Sequence, residues 1–178
     1  MINAQDFRLV QSYPRRVYFG KETHLEVSEV VRSENWQSAL IVTDPVLSKS
    51  NVRKMLETSL ANIGCQYRLL DTIQPNPTTH GLNSLYDEVR TEVHDFVLVV
   101  GGGSALDTAK ALALMLTNGR PAEELDYRVS GIKPGLPIIA IPSTAGTGSE
   151  TNSWAVVENS RHNSFILGMK VFSHVTQF

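Results

Sequence analysis

Three consecutive glycines, Gly101, Gly102 and Gly103, run directly into Ser104, Ala105, Leu106, Asp107, Thr108, Ala109 and Lys110. Placed between an apolar strand and a helix, such a run brings main-chain N–H groups to the surface. Glycine permits positive φ and close approach of a ligand, and the first helical turn offers unpaired donors at the positive end of its dipole. The chemistry this suits is the grip of a diphosphate, with the Ser104 hydroxyl as an added donor. A tight turn with Ser104 as helix cap accounts for the same residues, yet three glycines exceed what a turn requires. The spacing is not G-x-G-x-x-G, because Ser104, Ala105 and Leu106 follow Gly103. Nor is it a P-loop, since Lys110 stands about two helical turns beyond the glycines.

A second segment, Ser143-Thr144-Ala145-Gly146-Thr147-Gly148-Ser149-Glu150, is dense in hydroxyls and small residues and again follows an apolar strand. It suits a surface that meets an adenine, a ribose or a phosphate at close range, and equally suits a plain polar loop. A third, Thr43-Asp44, ends the first apolar strand. A carboxylate there can accept hydrogen bonds from the hydroxyls of an adenine ribose and repel a 2′-phosphate, which favours NAD over NADP. The commoner fate of an Asp-Pro pair is to start a turn.

The other reactive side chains suggest less. His24, His80, His94, His162 and His174 are scattered, with no i, i+4 pair and no carboxylate at ligand spacing, so no metal site is expected from them. Cys65 has no partner cysteine and reads as a buried, unreactive thiol. Trp154 reads as hairpin packing rather than a stacking platform.

These segments need a scaffold, and the hydropathy pattern supplies one. Arg16 to Phe19 reads as a short strand, Lys21 to Arg32 as an amphipathic helix, and Ala39 to Val42 as a strand covered on both faces. Val52 to Ile63 is helical and stops at Gly64; Tyr67 to Leu70 extends; the two prolines of Gln74-Pro75-Asn76-Pro77 force a loop. Thr78 or Thr79 caps a helix carrying Leu82, Leu85, Val89 and Val93. Phe96 to Val100 is the clearest strand and Ala105 to Thr117 the clearest helix, closed by Asn118-Gly119. Ile138 to Ile141 is a further buried strand, and Trp154 to Val157 with Phe165 to Leu167 forms a hairpin. Val171 to Phe178 is assigned no element and ends without a stop signal. The whole predicts an α/β, doubly wound, mainly parallel sheet (Rossmann-like) with a C-terminal β-hairpin, one domain over residues 1–178.

Bulk properties narrow the function. With 16 basic against 18 acidic residues, the chain lacks the electrostatic footprint that nucleic acid or an anionic membrane selects. No apolar run approaches the ~20 residues that span a bilayer, and the first residues lack a signal-peptide pattern, so the cytoplasm is the expected address.

The glycine turn Gly101-Gly102-Gly103-Ser104 with Asp107 and Lys110, followed by Ile141-Pro142-Ser143-Thr144-Ala145-Gly146-Thr147-Gly148-Ser149-Glu150, resembles the iron-containing (group III) alcohol dehydrogenases. Pro75-Asn76-Pro77-Thr78 and Arg16-Val17-Tyr18-Phe19-Gly20 fit the same family, and the likeness runs from about Tyr13 to Val157. It implies reversible hydride transfer between a small alcohol or aldehyde and NAD. By that resemblance Gly102, Gly103, Ser104 and Asp107 meet the pyrophosphate, Asp44 selects NAD and Asn76 contacts the cofactor. Ser143, Thr144 and Thr147 surround the adenine and phosphates, and Val156 lies on the nicotinamide side. The family's cofactor lysine falls at Phe165 in a gapless match, with Lys170 as an alternative. Its divalent metal, Fe²⁺ or Zn²⁺, is held by an aspartate and histidines of an all-helical second domain with no counterpart in this sequence. The expectation is therefore a truncated, nucleotide-binding part, inactive alone and prone to self-association through an exposed face. Two other readings share the cofactor site: a non-catalytic nucleotide-binding or assembly module, and a relative of dehydroquinate synthase, which the segment after Pro142 fits less well.

Overall fold

The structure, a computed structural model, describes residues 16–20, 22–159, 162–168 and 173–177. Its centre is a six-stranded sheet in which every pairing is parallel, in the order β1-β8-β5-β4-β2-β3. The strands are β1 (Arg16–Phe19), β2 (Ser38–Thr43), β3 (Gln66–Leu70), β4 (Phe96–Gly101), β5 (Ile138–Pro142) and β8 (Ser173–Gln177). An antiparallel hairpin, β6 (Trp154–Asn159) and β7 (His162–Gly168), is separate from it. The helices are α1 (Val27–Ser33), α2 (Asn51–Asn62), α3 (Thr79–Val89) and α4 (Gly103–Asn118).

The continuous apolar runs explain the layering. Successive residues of a strand point to opposite faces, so a strand covered on both sides must be apolar at every position. Ala39, Ile41, Phe96, Leu98, Val100, Ile139 and Ile141 pack with Val27, Val30, Val31, Leu56 and Leu60 of α1 and α2. Their alternates Leu40, Val42, Val97, Val99, Ile138 and Ala140 pack with α3, α4 and the β6 residues Ala155 and Val157. Two helices cover one face; two helices and a strand of the hairpin cover the other. No helix among the described residues is long and apolar enough to cross a membrane.

Four departures from the sequence pattern have local causes. The first helix begins as a 3-10 turn, Thr23–Glu26, so Leu25 swings out to 45% exposure instead of joining Val27. α3 stops at Val89, and Val93 is 83% exposed, because the chain must turn back to place Asp95 under β2. Gly101 belongs to β4, pairing with Pro142 rather than opening the turn. Residues 173–177, given no element by pattern, form β8 between β1 and β5. Ser-His-Val-Thr-Gln carries no apolar run, and only backbone pairing on both flanks identifies it as a strand.

Candidate functional site

From β2 the chain winds outward to β3 and then returns to β4 on the other side of β2. The carboxyl ends of β2 and β4 are thus a topological switch point, where diverging connections leave a crevice. Four segments meet there in a cavity of about 640 Å³: Asp44 to Leu47 after β2, Ile73 to Pro75 after β3, Gly102 to Ala105 after β4, and Ser143 and Thr144 after β5. Of the residues singled out from sequence, Asp44, Gly102, Gly103, Ser104, Ser143 and Thr144 line it together.

The three glycines are explained by contact, not by dihedral angle. None of them is among the glycines with positive φ, and Gly102 is extended at φ −83 and ψ −168. The expectation that they supply positive φ is therefore corrected. A Cβ on Gly101 would sit 2.4 Å from the Ala105 methyl. One on Gly102 would lie 3.1 Å from the Thr144 hydroxyl, and one on Gly103 3.1 Å from the Thr147 methyl. Glycine lets β4, α4 and the hydroxyl-rich loop close together. Gly102 is the N-cap of α4 and has no side chain to cap it. The first intrahelical bond is Leu106 N–H to the Gly102 carbonyl at 3.0 Å, and helix geometry leaves the amides before it without intrahelical acceptors.

Asp44 makes a turn and also faces the cavity. Its Oδ1 accepts from the Val46 and Leu47 amides at 2.9 and 2.8 Å, which is the turn expected of Asp-Pro. The carboxylate thereby fixed lines the cavity, and its Oδ2 is 3.8 Å from where a Gly101 Cβ would be. Asn76, in the left-handed region at φ 53, donates its amide to Ser104 Oγ at 3.2 Å. That bond ties the proline loop to the start of α4 and leaves the Ser104 proton available to donate. Asn76 itself lines an adjoining cavity of about 390 Å³ with Pro75, Thr78 and Glu88. The loop is held from its far side by Glu158 N–H on the Pro77 carbonyl at 2.8 Å.

Asp107, Thr147 and Val156 lie outside the main cavity's lining. Asp107 accepts from the Ser149 hydroxyl at 2.6 Å and from the Val156 amide at 3.2 Å. Thr147 packs on Gly103, and Val156 is 53% exposed on β6 beside Trp154. Trp154 is 49% exposed and meets Tyr127 edge-on, with ring centroids 5.7 Å apart.

Lys110, too far from the glycines for a P-loop lysine, lies inside the protein. It is 5% exposed, and Nζ donates to Ser149 Oγ at 2.9 Å, Asn152 Oδ1 at 3.3 Å and the Trp154 carbonyl at 2.7 Å. Asp107 Oδ1 is 3.5 Å away. Burial pushes its pKa down to about 8, opposed by the nearby Asp107 and Glu150 carboxylates. The signal is legible in the sequence as the one cation of α4, a turn after its one acid, in a helix with no other charged side chain.

Among the described residues no group of three or more His, Cys, Asp or Glu side chains could hold a metal ion. Cys65 is buried, and burial followed by the charge of Asp95 raises its pKa, away from a reactive thiolate. Phe165 pairs with Val157 in the hairpin; Lys170 lies outside the described residues.

Comparison with known proteins gives this geometry a context. The family described as iron-containing alcohol dehydrogenase matches residues 14–176. Alcohol dehydrogenase 4 of Schizosaccharomyces pombe is 37% identical over 145 residues, which are 81% of this chain and 34% of the relative. The NAD-dependent methanol dehydrogenase of Bacillus methanolicus is 33% identical over 147 residues, 83% of this chain and 39% of that protein. The crystal structure of an iron-containing alcohol dehydrogenase from Thermotoga maritima superposes with a TM-score of 0.83 at 30% identity, covering 93% of this chain and 46% of that one. The chain spans between 34% and 39% of these two curated relatives.

Proposed function

Because the chain belongs to the iron-containing alcohol dehydrogenase family, we propose that it binds NAD across the carboxyl ends of β2 and β4 and orients it for hydride exchange with a small alcohol or aldehyde. The observation that carries this reading is the cradle of Gly102 and Gly103. A side chain there would fill the approach to the first-turn amides of α4, and those amides open on a cavity of about 640 Å³.

Gly102, Gly103 and Ser104 would hold the diphosphate, and Asp44 would accept from the adenine ribose hydroxyls, disfavouring a 2′-phosphate. Ser143, Thr144 and Thr147 offer hydroxyls along the rim, and Asn76 lies on the proline-loop side. Val156 presents an apolar surface for the nicotinamide end. When bound, NAD supplies the hydride acceptor; the protein's own part is binding, orientation and partial exclusion of water. The family also implies a divalent metal. The described residues do not fit one, so activation of the alcohol oxygen is assigned to none of them. A lone, buried Cys65 suits a reducing compartment such as the cytoplasm.

The test is calorimetric titration of NAD into the 178-residue chain and into its Gly102→Val variant. Wild type is expected to bind, and the variant to lose at least about a hundredfold in affinity, roughly 2.7 kcal/mol, with its fold retained by circular dichroism. Equal binding by both proteins would place the dinucleotide elsewhere.

A further inference from the structure

The family resemblance assigns Asp107 to the cofactor, but its surroundings give it other work. We infer that Asp107 and Lys110 are positioning residues that clamp the hydroxyl-rich loop onto the glycine turn, and that Asp107 acts on the dinucleotide site only through that loop. The clamp itself stands on the geometry alone; its effect on affinity rests on the NAD reading above.

Both carboxylate oxygens of Asp107 are already engaged. Oδ1 takes the Ser149 hydroxyl proton at 2.6 Å with Lys110 Nζ 3.5 Å away, and Oδ2 takes the Val156 amide at 3.2 Å. An ionised carboxylate only accepts, as do phosphate oxygens, so the two cannot hydrogen-bond and their like charges repel. Lys110 spends its three donors on Ser149, Asn152 and the Trp154 carbonyl. The loop is knotted around the same points. Asn152 Nδ2 donates to the Gly148 carbonyl at 3.0 Å, and Asn152 Oδ1 receives the Trp154 amide at 2.9 Å. The Ser149 amide reaches Thr147 Oγ1 at 3.4 Å.

Thr147 is the residue that closes on Gly103, and Thr144 closes on Gly102. A continuous path therefore runs from the Asp107–Lys110 pair through Ser149 to Thr147, which shapes the Gly103 side of the diphosphate cradle. The core that α4 shares with other elements is apolar: Leu82, Leu85 and Val89 from α3, Val97 and Val99 from β4, Ile138 and Ala140 from β5. Burying an ammonium in such surroundings is unfavourable unless its donors are satisfied and an anion is near. Asp107 and Ser149 meet that requirement, and the loop is fixed as a consequence.

Ser149 is 6% exposed and too deep to meet a ligand, which makes it the discriminating substitution. NAD titration and amide hydrogen exchange would be measured on wild type, Asp107→Asn, Ser149→Ala and the double variant. The clamp predicts that Ser149→Ala and Asp107→Asn each weaken NAD binding about tenfold and that the double variant is no weaker than the worse single one. It also predicts, in the NAD-free chain, faster exchange at residues 146–153 with β2 and β4 unchanged. Wild-type affinity in Ser149→Ala, alongside a loss in Asp107→Asn, would make Asp107 a direct ligand contact and overturn the inference. Should wild type bind no NAD, the cofactor reading falls and the affinity clause with it. Loop exchange still decides the clamp: faster exchange upholds it and unchanged exchange ends it. If Asp107→Asn does not fold, Lys110→Met removes the three donors and is held to the same outcomes.

Discussion

The two ends of the strands β2 and β4 are built on opposite principles. At the amino end the amides leading into β2 are closed off by side chains of the turn before β4. Asp95 Oδ2 accepts from the Gln37 and Ser38 amides at 2.6 and 3.0 Å, and Ser38 Oγ donates to the Val93 carbonyl at 2.8 Å. At the carboxyl end the same strands run into glycines, an uncapped helix start and a cavity. Satisfied backbone groups stabilise; backbone groups held open by surrounding structure are available to a ligand. In the proposed function, stability resides at one end and recognition at the other, joined by strands that are buried at nearly every position.

The substitution expected to cut hardest across this division is Gly101→Ala. Its methyl would sit 2.4 Å from Ala105 Cβ, so α4 must shift on β4. A loss of about 1–3 kcal/mol in stability is expected, together with weaker NAD binding, because the shifted helix carries the open amides. Denaturant melts and titration read the two effects; a loss of affinity at unchanged stability would show that α4 is less firmly seated than its contacts indicate.

Asp95→Ala should sharpen the contrast. Two backbone donors lose their acceptor, at a cost of about 1–2 kcal/mol in urea unfolding, while NAD affinity stays within twofold of wild type (~0.4 kcal/mol). A large affinity change would mean that the two ends are mechanically coupled. Asp44→Ala is the counterpart at the open end. It should weaken NAD binding about tenfold and narrow the preference over NADP, and cost about 1 kcal/mol of stability because Val46 and Leu47 lose their cap. Unaltered NAD/NADP discrimination would reduce Asp44 to a turn residue.

The smallest effect concerns pH. Burial lowers the pKa of His94, against the raising influence of Glu92 and Asp95 and with that of Arg68. A group whose pKa is depressed by folding contributes stability that is fully present above its unfolded value of about 6.5 and is lost as pH falls through the folded value. Thermal melts should therefore show stability falling between pH 7 and pH 5 by less than about 2 kcal/mol from this group. His94→Gln should flatten that part of the profile while leaving NAD affinity at pH 7 unchanged. An identical pH profile in the variant would assign the acid sensitivity elsewhere.

Much of the scaffold was legible because the forces that set it are local or one-dimensional. Phe96 to Val100 and Ile138 to Ile141 are apolar without interruption, which only a strand covered on both faces tolerates. Thr78 could be read as a cap because its side chain needs nothing beyond the amide of Gly81. The glycine turn was found for a sound reason with an incomplete cause: small size mattered for contacts with Ala105, Thr144 and Thr147, which lie at different distances along the chain. β8 was missed because a strand in the interior of a parallel sheet can be secured by its neighbours' backbones alone.

What the sequence determined by itself is the order and type of most elements and the chemical character of the turns after β2, β4 and β5, since periodicity and glycine placement act over a few residues. Tertiary structure alone decided that those turns share one cavity, that Asp107 faces a loop 42 residues away, and that Lys110 is buried. Each of these depends on strand order, and strand order is settled by which hydrophobic faces pack together, a property of the assembled sheet that no short window of residues contains.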